Sequence, residues 1–320
     1  MNCVPAALNL FPIMKLLLGR GPILRAELQE AIGLLRRRDP QSVSRALELL
    51  QHTVLSFGIR VCGQREDAED TAQEVLLKSL PYLVRLDDPQ ALSAWLYTAA
   101  KNRCWQTRRT ASWRRSVALE DLMPAGSELS ALLADSAKSP EAALASREHD
   151  RLLHQAVLDL PPQYRIVLVL HDMEELETEQ VARILSLQPG TVRVRLHRAR
   201  LLLRREMNRR LRGEPKKFRR KERPAVASAD CRKIFANLSE YLDNRLQPES
   251  CERMRRHIKG CPACVAFIQD LKRAIDRCRA LEVCPDAEAP PVLRRLLTEE
   301  YLRLVGNPPK PSAKKSFSRR

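Results

Sequence analysis

Four residues in the last third of the chain have the types and spacing of a closed metal site. Cys231, His257, Cys261 and Cys264 follow the pattern C-x25-H-x3-C-x2-C. His257 and Cys261 stand about one helical turn apart, so both can reach one ion. Cys261 and Cys264 bracket Pro262 in a tight knuckle. Thiolate and imidazole donors in that number suit tetrahedral Zn2+, and four protein ligands leave no open position for a catalytic water. Thiolates also suit copper or cadmium. Cys251 is the rival for the fourth position. The chain has nine cysteines, which cannot all pair. Cys3, Cys62 and Cys104 are scattered. Cys231, Cys251, Cys261, Cys264, Cys278 and Cys284 cluster, which in a chain without an evident export signal points to metal or redox chemistry rather than a disulfide framework.

A second chemistry lies in ETEQVARILSLQPGTVRVRLHRARLLLRR, residues 177–205. Thr178 can cap a helix in which Val181, Ile184 and Leu185 share a face. Residues 186–189 break the pattern, and Pro189 suits the first turn of a new helix. That helix places Val192, Leu196, Ala199 and Leu203 on one stripe, with Arg193, His197, Arg198, Arg200 and Arg204 off it. A short helix, a tight turn and a longer basic helix make a helix-turn-helix, whose second helix enters the DNA major groove.

Two further stretches bear on recognition. In QREDAEDTAQEVLLKS, Ala68, Ala72, Val75 and Leu76 form an inner face, and Asp67, Asp70 and Glu74 form an acidic row at i, i+3 and i+7. In AWLYTAAKNRCWQTRR, Trp95 and Leu96 read as core. Tyr97 and Trp105, interleaved with Lys101, Arg103, Arg108 and Arg109, suit single-stranded nucleic acid, whose bases stack on rings.

These stretches need helices to hold them, and the composition supplies helices. The 320 residues are 44% hydrophobic but only 4% aromatic, the profile of Leu/Ala/Val/Ile cores, and no strand-like alternation or internal repeat is present. The expected fold class is all-α. Helices are expected over 27–62 with a break near Asp39-Pro40, and over 65–80. A turn is expected over 87–93, then helices over 94–109, 144–160 and 163–173, a helical unit over 228–280, and a short helix over 292–305. The 56 Lys and Arg against 39 acidic residues leave a formal charge of +17, which favours a polyanion partner. No apolar run reaches the length that spans a bilayer, about 20 residues, so no membrane partner is expected. Residues 1–26 lack a charged n-region and a cleavage site, and Met14 offers an alternative start.

Three motifs in order resemble bacterial RNA polymerase sigma factors of the extracytoplasmic-function subfamily. Asp67-Ala68-Glu69-Asp70 with Gln73-Glu74-Val75 is similar to that family's core-polymerase-binding helix. Trp95-Leu96 with Asn102 and Arg109 resembles its −10-element helix. Leu160-Pro161 and Gly190-Thr191-Val192-Arg193, with Arg195 to Arg200, resemble its −35-reading domain. The segment around LSEYLDNRL and HIKGCPAC resembles the zinc-binding fold of anti-sigma factors.

The resemblance implies two helical sigma domains joined by a linker, plus a small zinc-binding helical domain. Region 2 would cover 27–115, a linker 116–143, region 4 144–212, a basic connector 213–228, the zinc domain 229–284, and a C-terminal helix and basic tail 285–320. Asp67, Asp70, Gln73 and Glu74 would bind core polymerase. Tyr97, Lys101, Arg103, Trp105, Arg108 and Arg109 would handle the −10 element. Arg193, Val194, His197 and Arg198 would face −35 bases, and Arg195 and Arg200 would hold phosphates. The function implied is promoter-specific transcription initiation in the cytoplasm by a non-enzymatic subunit. Core RNA polymerase and promoter DNA are its partners, and the zinc domain contacts the sigma domains to regulate them in response to metal or redox state. The rival is a helix-turn-helix regulator that never binds polymerase, which would have no need of the helix at 67–80.

Overall fold

The computed structural model describes residues 23–84, 89–107, 122, 140–213, 229–281 and 291–306. These residues are α-helical, with one π-helical turn and no strand among them, and they fall into two units. The linker expected over 116–143, apart from Leu122 and 140–143, and the basic connector beyond Gly213 lie outside the described residues.

The first unit opens with α1 (Ile23–Arg37) and α2 (Pro40–Cys62). The expected break is built from three adjacent residues. Arg38 takes a left-handed φ of 58°, Asp39 accepts a hydrogen bond from the Ser42 N–H at 2.8 Å, and Pro40 begins the next helix where its missing N–H costs nothing. Gly63, φ 76°, ends α2. α3 (Arg65–Leu83) then packs on α2 so closely that a Cβ on Gly58 would stand 3.1 Å from the Ala68 Cβ. α4 (Pro89–Thr107) starts earlier than expected. Pro89 takes the N-terminal position, so residues 89–93, read from the sequence as turn, are helical. Cys62 and Cys104 are joined by a disulfide between α2 and α4, Cα–Cα 5.6 Å, which nothing in their scattered spacing signals.

The second unit contains α5 (Pro140–Asp159), α6 (Pro162–Leu168), a π-helical turn (Val169–Met173), α7 (Thr178–Leu185) and α8 (Pro189–Leu211). The cap of α7 differs from expectation. Glu177 is the N-cap and its N–H bonds Gln180 Oε1 at 3.0 Å, while Thr178 is the first helical residue and is buried. A Glu-x-x-Gln box satisfies the cap reciprocally, which leaves Thr178 free to turn inward. Ser186, φ 54°, makes the left-handed turn into α8. The same unit continues with α9 (Ala229–Ala236), α10 (Leu238–Leu242), α11 (Pro248–Gly260) and α12 (Pro262–Ala280). The core around α11 is small: Tyr241, Cys251 and Met254, flanked by Ile234, Leu246 and Ile258.

The chain then returns to the first unit. α13 (Pro291–Gly306) lies on α2 and α3 and buries Leu297, Tyr301 and Leu304. Tyr301 donates its hydroxyl to the Leu35 carbonyl at 3.4 Å, and Arg294 pairs with Glu48 at 3.7 Å. No described helix is long and apolar enough to cross a membrane.

Candidate nucleic-acid interface and metal centre

The metal-ligand candidates come from three helices. Cys231 lies on α9, His257 near the end of α11, Cys261 at the N-cap of α12 and Cys264 one turn into it. Their donor atoms all lie within 4.8 Å of one another. Cys231 Sγ is 3.5 Å from His257 Nε2, His257 Nε2 is 3.3 Å from Cys264 Sγ, and the two sulfurs are 3.9 Å apart. In a tetrahedral zinc site the bond lengths put two sulfurs about 3.8 Å apart and sulfur and nitrogen about 3.5 Å apart. The cluster therefore has the size of one coordination sphere. Burial, together with the Cys261 and Cys231 thiols, pushes the Cys264 thiol well up. Such a group resists ionising by itself, whereas a dication at its centre supplies the compensating charge. The N-terminal end of α12 also favours thiolate at Cys261 and Cys264. Cys251 does not join them: it is buried against Tyr241 and Met254, and its sulfur is engaged in a disulfide.

The helix-turn-helix presents α8 with two unlike sides. On one, Thr191, Val194, Arg195 and Arg198 line an open groove of about 390 Å3 together with Gln163 and Tyr164. Val194 is 54% exposed. On the other side, Arg193, His197, Arg200 and Arg204 follow one another at spacings of four, three and four. All four meet groups from α10 to α12.

Arg200, expected to hold phosphate, is 0% exposed. Its Nε and Nη2 donate to Asp172 at 2.8 and 2.6 Å, and its Nη1 and Nη2 donate to Asp243 at 2.9 and 2.8 Å. The π-helical turn makes this possible. Its wider backbone loop, with the Glu174 N–H bonded to the Val169 carbonyl at 2.8 Å, brings Asp172 inward beneath α8. Burial alone would push the Asp172 carboxyl up, but the Arg200 guanidinium holds it far below the usual carboxylate range. Burial likewise works against the Arg200 cation, and the two carboxylates outweigh it.

His197, expected to face bases, is 8% exposed, with Nδ1 3.0 Å from Ser239 Oγ and its ring edge-on to Phe235. Arg193 is exposed, 3.9 Å from Glu240. Arg204 donates to Asp270 at 3.1 Å and lies 4.1 Å from the centre of the Phe267 ring. Arg245 reaches back from the end of α10 to Glu177 and Thr178.

Burial holds the His197 imidazole down at about 4, with the Arg200 and Arg198 charges adding to the effect. A released histidine titrates near about 6.5. The docked arrangement therefore keeps this part of its stability above that pH and loses it as pH falls towards 4, at up to about 1.4 kcal/mol per pH unit. The urea midpoint of the second unit should fall between pH 6.5 and 5 in the full chain. It should fall less in His197→Gln, which keeps a hydrogen-bonding group for Ser239 but does not titrate. Equal falls would assign the effect to other groups.

Of the residues expected to act in the first unit, Asp70 and Gln73 are exposed on α3 and Asp67 is half-buried. Glu74 is engaged by Lys78 and by Arg103 at 2.6 Å. Tyr97, expected to meet bases, is 1% exposed with its ring 4.9 Å from that of Phe57. Lys101, assigned to the same surface, is also buried, and burial pushes its ammonium pKa down. Both point into the α2–α4 core because the inner stripe of α4 runs through Leu96, Ala100 and Cys104 and takes its neighbours along. Trp95 is half-buried, its ring 5.0 Å from Tyr82. The Trp105 side chain and residues Arg108 and Arg109 lie outside the described residues.

Comparison with known proteins divides the chain in the same order. The profile of Sigma-70 region 2 matches residues 46–114, that of Sigma-70 region 4 matches 150–203, and a putative zinc-finger profile matches 231–264. The RNA polymerase sigma factor YlaC of Bacillus subtilis (strain 168) is 30% identical over 156 residues, covering 48% of this chain and 85% of that protein. The ECF RNA polymerase sigma-E factor of Haemophilus influenzae is 30% identical over 142 residues, covering 43% and 74%. The ECF RNA polymerase sigma factor SigW of Bacillus subtilis (strain 168) is 28% identical over 184 residues, covering 56% and 96%.

Proposed function

The chain belongs to the extracytoplasmic-function RNA polymerase sigma factors, and from that premise we propose that it directs transcription initiation at specific promoters in the cytoplasm under the control of its own C-terminal metal domain. Region 2 offers core polymerase the exposed face of α3 around Asp70 and Gln73, with Asp67 beside them. Region 4 reads −35 duplex through α8. The observation that carries this reading is the pairing, in one chain, of region 2 and region 4 with an open groove along α8 lined by Val194, Arg195 and Arg198. In this reading Arg198 reads a base and Arg195 holds the backbone.

The metal domain holds its ion through Cys231, His257, Cys261 and Cys264, and Zn2+ is the ion whose coordination size the donors match. With all four positions filled by protein the ion is structural. It ties α9, α11 and α12 together and so keeps α10 and Asp243 in place against α8. No group of this chain is required to make or break a bond; the reading is of a binding subunit, not an enzyme.

The test is transcription in vitro. Core polymerase with this chain should give transcripts from a bacterial genomic template that neither gives alone. Asp70→Lys should weaken core binding about tenfold, equivalent to about 1.4 kcal/mol, with unchanged helicity. A chain that never binds core, in any variant, would instead be a regulator acting at DNA alone. Unchanged core binding by Asp70→Lys would move the polymerase surface elsewhere.

A further inference from the structure

The stripe Arg193, His197, Arg200 and Arg204 is a basic face along the recognition helix, and the chain itself covers it. Glu240 stands opposite Arg193, Ser239 opposite His197, Asp243 opposite Arg200 and Asp270 opposite Arg204. Three carboxylates and a hydroxyl thus run along one side of a helix of the kind that otherwise runs along phosphates. The chemistry at Arg200 is the most telling. One edge of its guanidinium is used by Asp172 of the same domain, which neutralises it and fixes its plane. The other edge is taken by a planar bidentate anion brought by α10. A guanidinium fork of this kind accepts a carboxylate or a phosphate with the same geometry.

Resting on the sigma-factor reading, we propose that the acidic edge of the metal domain, Ser239, Glu240, Asp243 and Asp270, stands in the place of duplex DNA on region 4, so that docking of this domain and binding of −35 DNA exclude each other. Sterics and charge act together. The major groove is about 12 Å wide and an α-helix with its side chains about 10–12 Å across. A recognition helix with α10 against its N-terminal half does not fit. Charge adds a competition for the same cations, so displacement is favoured by polyanion and opposed by salt. The groove side of α8, with Val194 and Arg198, stays uncovered. It can make a first contact with DNA before the metal domain leaves. Because the two events are linked, DNA loosens the domain as much as the domain weakens DNA binding.

The experiment uses the full metal-loaded chain and a fluorescent 30-base-pair duplex pool of random sequence at fixed salt. Glu240→Gln/Asp243→Asn should bind the pool at least tenfold more tightly than wild type, with the metal content unchanged. Arg200 keeps its Asp172 partner in this variant, so region 4 is not left with an unpaired buried charge. Glu249→Gln/Glu252→Gln removes the same charge from the exposed side of α11 and should leave the affinity within about twofold of wild type. Saturating duplex should raise hydrogen exchange across α10 in wild type. Equal affinity of wild type and Glu240→Gln/Asp243→Asn, or an equal gain in the control variant, would overturn the proposal. Core-polymerase binding, measured on the same preparations, separates this from the broader reading: its absence in every variant defeats the sigma-factor assignment whatever the DNA result.

Discussion

A chain carrying Cys261→Ser and Cys264→Ser loses its metal and, with it, the fold of α9 to α11. Helix α12 keeps Phe267, Leu271, Ala274 and Ile275 buried and keeps its packing on α8 and the π-helical turn. Four-ligand zinc sites contribute about 10–16 kcal/mol in small peptides at neutral pH. Against that, the local core is Tyr241, Cys251 and Met254 with three half-buried neighbours. Full burial of an aliphatic or aromatic side chain is worth about 1.5–3 kcal/mol, so a core of this size does not replace the ion. The expected result is a drop in helical circular dichroism from α9 to α11, metal content near zero, and retention of the signals of α1 to α8 and of α12. A strong chelator should act in the same way on the wild-type chain. Transcription should change with it: removal of the acidic edge from α8 should raise promoter binding. A substituted chain with full helicity, unchanged proteolytic resistance and unchanged output would show the knuckle to be dispensable.

The second large effect is expected at Arg200. Replacing it by Ala strips the fully buried Asp172 carboxyl of the guanidinium that keeps it ionised, and leaves Asp243 without its partner. Breaking one side of a buried pair typically costs about 3–5 kcal/mol. Arg200→Ala should therefore lower the denaturant midpoint of the second unit markedly while that of the first stays where it is. Asp172→Ala alone should also destabilise, because the guanidinium then depends on Asp243. The double variant Asp172→Ala/Arg200→Ala should be less damaged than the sum of the two, since it leaves no uncompensated charge in region 4. Additive losses would mean that the pair does not act as a unit. Arg195→Ala, at the edge of the open groove, should not change the midpoint comparably, which separates a structural arginine from one that meets DNA.

These two arginines show how far the sequence reaches. Both lie on α8 off its apolar stripe, and helical periodicity places them on different faces without saying what covers either. The family resemblance assigns Arg200, like Arg195, to phosphate. What buries it is Asp172, brought inward by a π-helical turn that no propensity marks, and Asp243, more than forty residues away in sequence. His197 is hidden for the same reason, by Ser239. Tyr97 and Lys101 pose the same problem on α4, where one residue of rotation separates a base-stacking position from the Phe57 side of the core.

What the sequence determined by itself is local. The Asp39-Pro40 break, the Pro189 start, the turn at Ser186 and the all-α composition depend on residues a few positions apart, whose backbone preferences act before any tertiary contact forms. The His257, Cys261 and Cys264 spacing is local in the same sense, because one helix and one knuckle bring those donors together. Tertiary structure decided everything that depends on which face meets which. It set α13 against α2 and α3, joined Cys62 to Cys104, and turned the acidic edge of α10 and α12 towards the basic stripe of α8. The reason is that a helix carries its faces in its sequence but not its neighbours. Neighbours are chosen by the summed burial and charge pairing of distant segments, and those sums exist only once the chain has folded.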